Sequence, residues 1–120
     1  MIDPKELRIG NWVEAVASEN YHCYVRPFMI ETIFNDPNCA NPIILTPDIL
    51  VKCGFKKENG TPFHTIQLPL NICGLSINPN NGMVWLKKND NLMNPIGGKF
   101  LHQLQNLYFI LSGEELQYAP

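Results

Sequence analysis

The chain has 120 residues, and its 9 Lys and Arg residues against 11 Asp and Glu residues give a formal net charge of −2. This length is typical of one domain and is sufficient to bury a hydrophobic core without a metal or a disulfide. The near-neutral charge and a pI of about 5.8 argue against a broad phosphate-binding surface, which needs clustered Lys and Arg. Only 17% of the residues are charged and 14 are Asn, so we expect uncharged amides to cover much of the surface.

The sequence predicts a cytoplasmic protein without membrane contact. It starts without a basic region followed by an apolar stretch, so we predict no secretory signal. The longest uninterrupted apolar run, Leu107 to Leu111, is far shorter than the roughly 18 residues of a membrane-spanning helix. The four cysteines form no CxxC pair, and in a reducing compartment such residues are mostly small buried apolar groups.

The N-terminal third predicts β-structure. Gly10 and Asn11 readily form a tight turn between short strands. The β-prone runs cover residues 7–9, 12–17, 21–25 and 28–34. Pro27 interrupts these runs because proline donates no ladder hydrogen bond. The following stretch, 35–42, is rich in Pro and Asn and predicts a loop.

A short helix over residues 47–53 is the clearest local prediction. Thr46 can cap its first turn, Pro47 suits the first helical position, and Asp48 complements the positive end of the helix dipole. Gly54 is expected to end the helix. A helix of about two turns is not stable alone, so we expect tertiary contacts to hold it.

The segment after this helix predicts strands. Residues 64–72 alternate between polar and apolar side chains, which is typical of a half-buried strand. Residues 75–77 and 83–86 flank a turn-rich stretch and predict a hairpin. Residues 87–95 are polar and predict a loop.

The last predicted element is a helix over residues 100–112, ended by Gly113. Its core-facing stripe spans about 120°. That stripe comprises Phe100, Leu101, Leu104, Leu107, Tyr108 and Leu111. Together these elements predict a single α+β domain over residues 1–120, with a bent antiparallel sheet, one short middle helix and one longer C-terminal helix.

The opposite side of this last helix, here called the outer face, is unusually poor in charge. It consists of His102, Gln103, Asn106, Phe109 and Ile110, with Lys99 as its single charged residue. Burial within the chain, a ligand groove, or a partner surface would each explain its two large apolar residues. Amide and aromatic side chains with few charges suit the core of an interface, and Gln105 adds another amide. We therefore hypothesise a non-enzymatic module that binds a protein partner, or a second copy of itself, through this face.

Candidate catalytic groups are weakly supported, and we predict no enzyme activity, cofactor or metal site. The spacing of the histidines and cysteines does not resemble that of a zinc site. Cys53 with His64, or Cys73 with His102, remains open as a nucleophile and base, since such partners meet in space rather than in sequence. The stretch 97–99, Gly-Gly-Lys, lacks phosphate-loop spacing but could hold a single anion before the helix.

The alternative function is a nucleic-acid-binding accessory protein of a phage or mobile element. Stacking on a sheet of aromatic residues with nearby arginines is one way to bind single strands. The residues concerned are Arg8, Trp12, Tyr21, Tyr24, Arg26 and Phe28. Such residues more often fill a small barrel core, and the net charge of −2 disfavours nucleic acid.

Three motifs resemble a family of small uncharacterised proteins from Bacteroidetes genomes and their prophages. They are LRIGNWV at 7–13, LTPDIL through KCGF at 45–55, and HQLQNLYF with GEEL at 102–116. The resemblance implies a cytoplasmic, prophage-associated protein and transfers no catalytic residue, because the family carries no assigned activity. Separately, residues 8–13 are similar to the first strand and turn of SH3-like barrels, which implies such an arrangement in the N-terminal half.

Overall fold

The computed structural model describes residues 2–15, 22–25, 27–68, 73–88, 91–97 and 99–119. Its helices are α1 (Pro27–Asn35), α2 (Pro47–Lys52) and α3 (Leu101–Ser112), and short 3-10 helices cover Pro4–Glu6 and Pro37–Cys39. The strands are β1 (Trp12–Ala15), β2 (His22–Tyr24), β3 (Ala40–Asn41), β4 (Lys56–Lys57), β5 (His64–Gln67), β6 (Gly74–Asn78), β7 (Met83–Lys88) and β8 (Asn91–Gly97). Within these ranges, no helix has both the length and the apolar character needed to cross a bilayer.

The strands form two antiparallel sheets, which confirms the α+β class. The first sheet has the order β2-β1-β3, and the second has the order β4-β5-β6-β7-β8. Residues 43–45 run beside the start of α3, where the Leu45 amide donates to the Lys99 carbonyl and the Leu101 amide donates to the Ile43 carbonyl. This short contact joins the segment leading into α2 to the C-terminal helix.

The local signals for α2 are confirmed. The Thr46 hydroxyl accepts a hydrogen bond from the Ile49 amide at 3.2 Å, and Pro47 opens the helix. Gly54 follows with a φ of +93°, which L side chains rarely adopt, and the Phe55 amide donates back to the Leu50 carbonyl. Burial of Leu50 and Phe55 in the core then supplies the tertiary support that so short a helix needs.

The β5–β6–β7 region matches the prediction, but β8 does not. β6 and β7 form the predicted hairpin, with Leu75 opposite Leu86 and Ile77 opposite Val84. The predicted loop at 87–95 is wrong, because most of that stretch extends β7 or forms β8. β8 lies at the sheet edge, where a register shift near Trp85 accommodates proline within the strand. Residues 69–72 of the predicted half-buried strand lie outside the described residues.

The prediction of a strand over residues 28–34 is wrong. This stretch belongs to α1, a third helix that the sequence pattern did not predict. Met29, Ile30 and Ile33 pack in one apolar cluster, which a helical repeat allows and a strand does not. Pro27 at the first helical position also favours a helix. Burial of this face therefore overrides the β-propensity of the individual residues.

The turn at Gly10 is confirmed, whereas the strand before it is not. Gly10 has a φ of +95°, and its amide donates to the Val25 carbonyl at 2.8 Å. Residues 7–9 are not a strand but an irregular stretch between the short helix Pro4–Glu6 and the turn. The similarity of this half to SH3-like barrels stays a prediction.

Two apolar clusters form the interior. The larger one lies between α2, α3 and the five-stranded sheet and includes Leu50, Leu75, Ile77, Leu101 and Leu104. The smaller one joins the three-stranded sheet to α1 and the N-terminus. It consists of Ile2, Val13, Val25, Ile33 and Ala40. Four of the six residues in the predicted core stripe of α3 pack in or against the larger cluster, namely Leu101, Leu104, Leu107 and Tyr108, whereas Phe100 lies outside it and Leu111 is exposed.

Candidate functional site

The N-terminal segment, residues 2–11, crosses the first half of the outer face of α3. The buried His102 side chain donates from Nε2 to the Glu6 carboxylate at 2.9 Å, and its ring stacks on the Phe100 ring. Asn106 donates from Nδ2 to the Glu6 carbonyl at 2.7 Å. His102 and Asn106, both predicted as partner-binding residues, thus bind a segment of their own chain.

Asn106 is the centre of a polar cluster formed by Arg8, Asn11 and Asn106. Its Oδ1 accepts from Asn11 Nδ2 at 2.8 Å and from Arg8 Nε at 3.1 Å. Asn11 is fully buried, and its own Oδ1 accepts from the Arg8 amide at 2.6 Å. The cluster therefore fixes the turn before β1 onto α3 through hydrogen bonds rather than apolar contacts.

Gln105 makes a second attachment between α3 and the same turn. Its buried amide accepts from the Trp12 amide at 2.8 Å and donates to the Gly10 carbonyl at 3.2 Å. The sequence pattern placed Gln105 among the interface amides and did not indicate this role. The available signal was the high amide and low charge content of the helix, which is also typical of buried polar groups bonded within the chain.

Gln103 bonds to the start of its own helix. Its Oε1 accepts from the Lys99 amide at 3.1 Å and the Phe100 amide at 3.3 Å, and its Nε2 lies 3.4 Å from both Glu6 carboxylate oxygens. Two of the amides that could have held an anion near residues 97–99 are thus already bonded, and the Leu101 amide is bonded to Ile43. Gly98 lies outside the described residues.

The last two residues of the outer face stay accessible. Phe109 is 38% exposed, with the Arg8 guanidinium 4.4 Å from its ring centroid, and Ile110 is 78% exposed. Arg8 also pairs with Glu115, so the guanidinium is held at this position from two sides. We call Phe109 and Ile110 the C-terminal apolar patch.

Among the described side chains, no hydrogen bond joins Cys53 to His64 or Cys73 to His102. Burial raises the pKa of the Cys53 thiol to about 12, so its reactive thiolate is disfavoured. The Nδ1 atoms of His64 and His102 are both buried without a hydrogen-bond partner. The described residues also contain no group of three or more His, Cys, Asp or Glu side chains placed to hold a metal ion.

Some of the surface clefts are lined entirely by described residues, and three of these lie beside the helices and strands. One, of about 480 Å³, is lined by Glu14, Asn41, Pro42, Ile43, Ile44, Ile49 and Phe100. The others, of about 210 and 300 Å³, lie near the β6–β7 turn and beside the Gly10 turn. None of the three is lined by a cysteine or a histidine from the part of the chain that the structure describes, so none combines a nucleophile with a base in the way that Cys–His catalysis requires.

The residues that suggested nucleic-acid binding are partly engaged within the fold. Arg8 bonds to Asn106 and Glu115, and Trp12 packs edge-on against Tyr118 with ring centroids 5.1 Å apart. Tyr21 and Arg26 lie outside the described residues, and the side chains of Tyr24 and Phe28 are likewise not described. The nucleic-acid alternative stays a prediction.

Comparison of the chain with protein-family models, curated proteins and solved structures finds no match. The resemblance to the Bacteroidetes and prophage proteins, and the compartment it implies, therefore stay predictions. A function for this chain has to be inferred from the geometry of α3 and its surroundings.

Proposed function

We propose that the protein is a non-enzymatic protein-interaction module that binds through the C-terminal apolar patch. The observation that carries the proposal is the 78% exposure of Ile110 beside the partly exposed Phe109. Full burial of a side chain of this size is worth about 1.5–3 kcal/mol. Because most of the Ile110 side chain is still in contact with water in the folded protein, most of this burial free energy would be released only when a partner covers it.

The surroundings of the patch support the same proposal. Phe109 and Arg8 are of the residue types enriched in interfaces, and Arg is common among residues that dominate binding energy. Arg8 is already ordered by Glu115 and Asn106, so a partner would not bear the full entropy loss of fixing this side chain. The proposed surface is therefore smaller than the whole outer face and lies at its C-terminal end.

The remaining residues of the outer face act in this proposal as support. His102 is buried, and Gln103 and Asn106 bond to the N-terminal segment and to the helix start. They hold α3 and the turn before β1 in one arrangement. The backbone beneath the C-terminal apolar patch is therefore already ordered before a partner binds.

Site-directed photo-crosslinking in the native host tests the proposal. A photoreactive amino acid at position 110 should give a discrete protein adduct, which Phe109→Asp should abolish. Val51, an apolar residue of α2 that is 58% exposed, is the matched control position. The proposal is rejected when position 110 gives no adduct above that at position 51, or when Phe109→Asp leaves the adduct unchanged in a folded protein.

A further inference from the structure

We infer that the partner is a second copy of this chain, with the two α3 helices packed antiparallel about a two-fold axis. The inference rests on the proposed function and specifies the occupant of its surface. The surface it uses shares Ile110 with the C-terminal apolar patch and continues along the helix to Leu107 and Gln103.

The spacing of three side chains along α3 suits packing against a second helix. Gln103, Leu107 and Ile110 are separated by four and three residues, so they lie on one side of the helix. Gln103 and Leu107 are half-buried, Leu107 because it also packs against the larger apolar cluster, and Ile110 is exposed. Alternation of four- and three-residue steps is the spacing by which two helices interlock side by side. In an antiparallel pair, Leu107 of each copy would meet Ile110 of the other.

The charges at the two ends of α3 favour an antiparallel partner. Exposed Lys99 precedes the helix and exposed Glu114 follows it, which is the opposite of what the dipole of their own helix favours. Within the described residues, neither side chain has an ion-pair partner. An antiparallel second helix brings its positive N-terminal end, with Lys99, beside Glu114.

The distances along the helix are consistent with this pairing. At about 1.5 Å per residue, the first helical residue, Leu101, lies about 11 Å before the midpoint between Leu107 and Ile110, and the last, Ser112, lies about 5 Å beyond it. Lys99 and Glu114 each lie two residues past these ends. The difference of about 6 Å is within reach of the flexible lysine side chain. Each copy would contribute one Lys99 and one Glu114, so the two-fold axis generates two such pairs.

The N-terminal segment does not obstruct this arrangement. It bonds to His102 and Asn106, reaches Gln103 through the Glu6 carboxylate, and places Arg8 over Phe109. None of these contacts involves Leu107 or Ile110, which form the neighbouring side of the helix. The pair of helices is short, so we expect a weak, concentration-dependent dimer rather than a permanent one.

Sedimentation analysis of the full chain at rising concentration and low salt tests the inference. The wild-type chain should form a dimer, and Ile110→Asp should remain monomeric at every concentration. Lys99→Glu and Glu114→Lys should each weaken the dimer by about three- to tenfold, because exposed ion pairs are individually weak and the axis doubles each change. The double variant should restore the affinity to within about twofold of wild type, as expected for partners in direct contact.

Matched controls separate direct pairing from a change in net charge. Lys56→Glu on β4 and Glu31→Lys on α1 carry the same charge changes at exposed positions away from α3, and both should dimerise like wild type. A monomer throughout, or a dimer that the double variant does not restore, overturns the inference. A crosslinked adduct at position 110 whose mass differs from that of two copies would overturn it while leaving the proposed function intact.

Discussion

Replacement of Asn106 by alanine should destabilise the protein by about 2–3 kcal/mol. The substitution removes hydrogen bonds to Arg8, Asn11 and Glu6 at 3.1, 2.8 and 2.7 Å, each worth about 1 kcal/mol net. It also leaves the buried Asn11 amide group without this acceptor. The better helix propensity of alanine offsets about 0.5 kcal/mol. For a domain of this size the melting temperature should fall by about 10 °C.

Urea unfolding of four proteins measures this effect and its origin. Wild type, Asn106→Ala, Asn11→Ala and the double variant form a cycle, in which the two residues should couple by about 1 kcal/mol. Gln117→Ala, at an exposed position, is the control and should change stability by less than about 0.5 kcal/mol. A loss below about 0.5 kcal/mol for Asn106→Ala, with no coupling to Asn11, would refute the attachment of the N-terminal segment to α3.

Three further predictions concern α2, α3 and the buried thiol. Because burial raises the pKa of Cys53 from 9.0 to about 12, the unfolded chain loses this proton first as pH rises. The Cys53 thiol should then lower the free energy of unfolding by about 1 kcal/mol between pH 8 and pH 10, and burial also raises the pKa values of Cys23, Tyr108 and Tyr118. Cys53→Ala should reduce the total decline by about this amount in urea titrations, and an unchanged pH dependence would contradict the prediction. Thr46→Ala should cost about 1 kcal/mol through loss of the helix cap, whereas the exposed Thr32→Ala should cost far less in the same assay. Gly113→Ala should lower the free energy of unfolding by about 1 kcal/mol in thermal unfolding, because Gly113 has a φ of +73° and the space beside it is open, so only the backbone is strained. Gly113→Asn should cost less, because asparagine adopts this conformation more readily. Equal losses of stability for the two variants would argue against backbone strain.

The elements predicted correctly are those whose signals lie within a few residues. The cap at Thr46 and the stop at Gly54 define α2, and Gly113 defines the end of α3. The β6–β7 hairpin is similarly local, since its turn residues lie between two apolar strands. In these cases the residues that determine the element are also neighbours in the chain.

The elements predicted incorrectly depend on packing that a local pattern does not show. α1 carries residues of high β-propensity, and its helical form follows from burial of Ile33 and its neighbours. β8 has the composition of a loop, and its strand form follows from pairing with β7. Composition and propensity are therefore poor guides where a neighbouring element supplies the main stabilisation.

In the candidate site, too, features set by neighbouring residues could be predicted and features set by distant residues could not. The sequence predicted a charge-poor outer face of α3 with two large apolar residues; in the structure Phe109 and Ile110 are exposed, whereas His102 is buried. The sequence did not reveal that Glu6 and Arg8, about a hundred positions earlier, would bond to His102 and Asn106. Long-range hydrogen bonds between polar side chains produce no periodic pattern in the sequence. Only the two apolar residues at the C-terminal end of the outer face could therefore be singled out from the sequence.

β1 has a consequence for how the whole protein unfolds. Adjacent residues of a strand point to opposite sides, and here Trp12 packs against the larger apolar cluster while Val13 belongs to the smaller one. The two faces of β1 thus contact the two different apolar clusters. Unfolding of either cluster would expose part of the other, so both sheets should unfold on heating in one cooperative transition. Neither half of the chain should fold when it is produced alone.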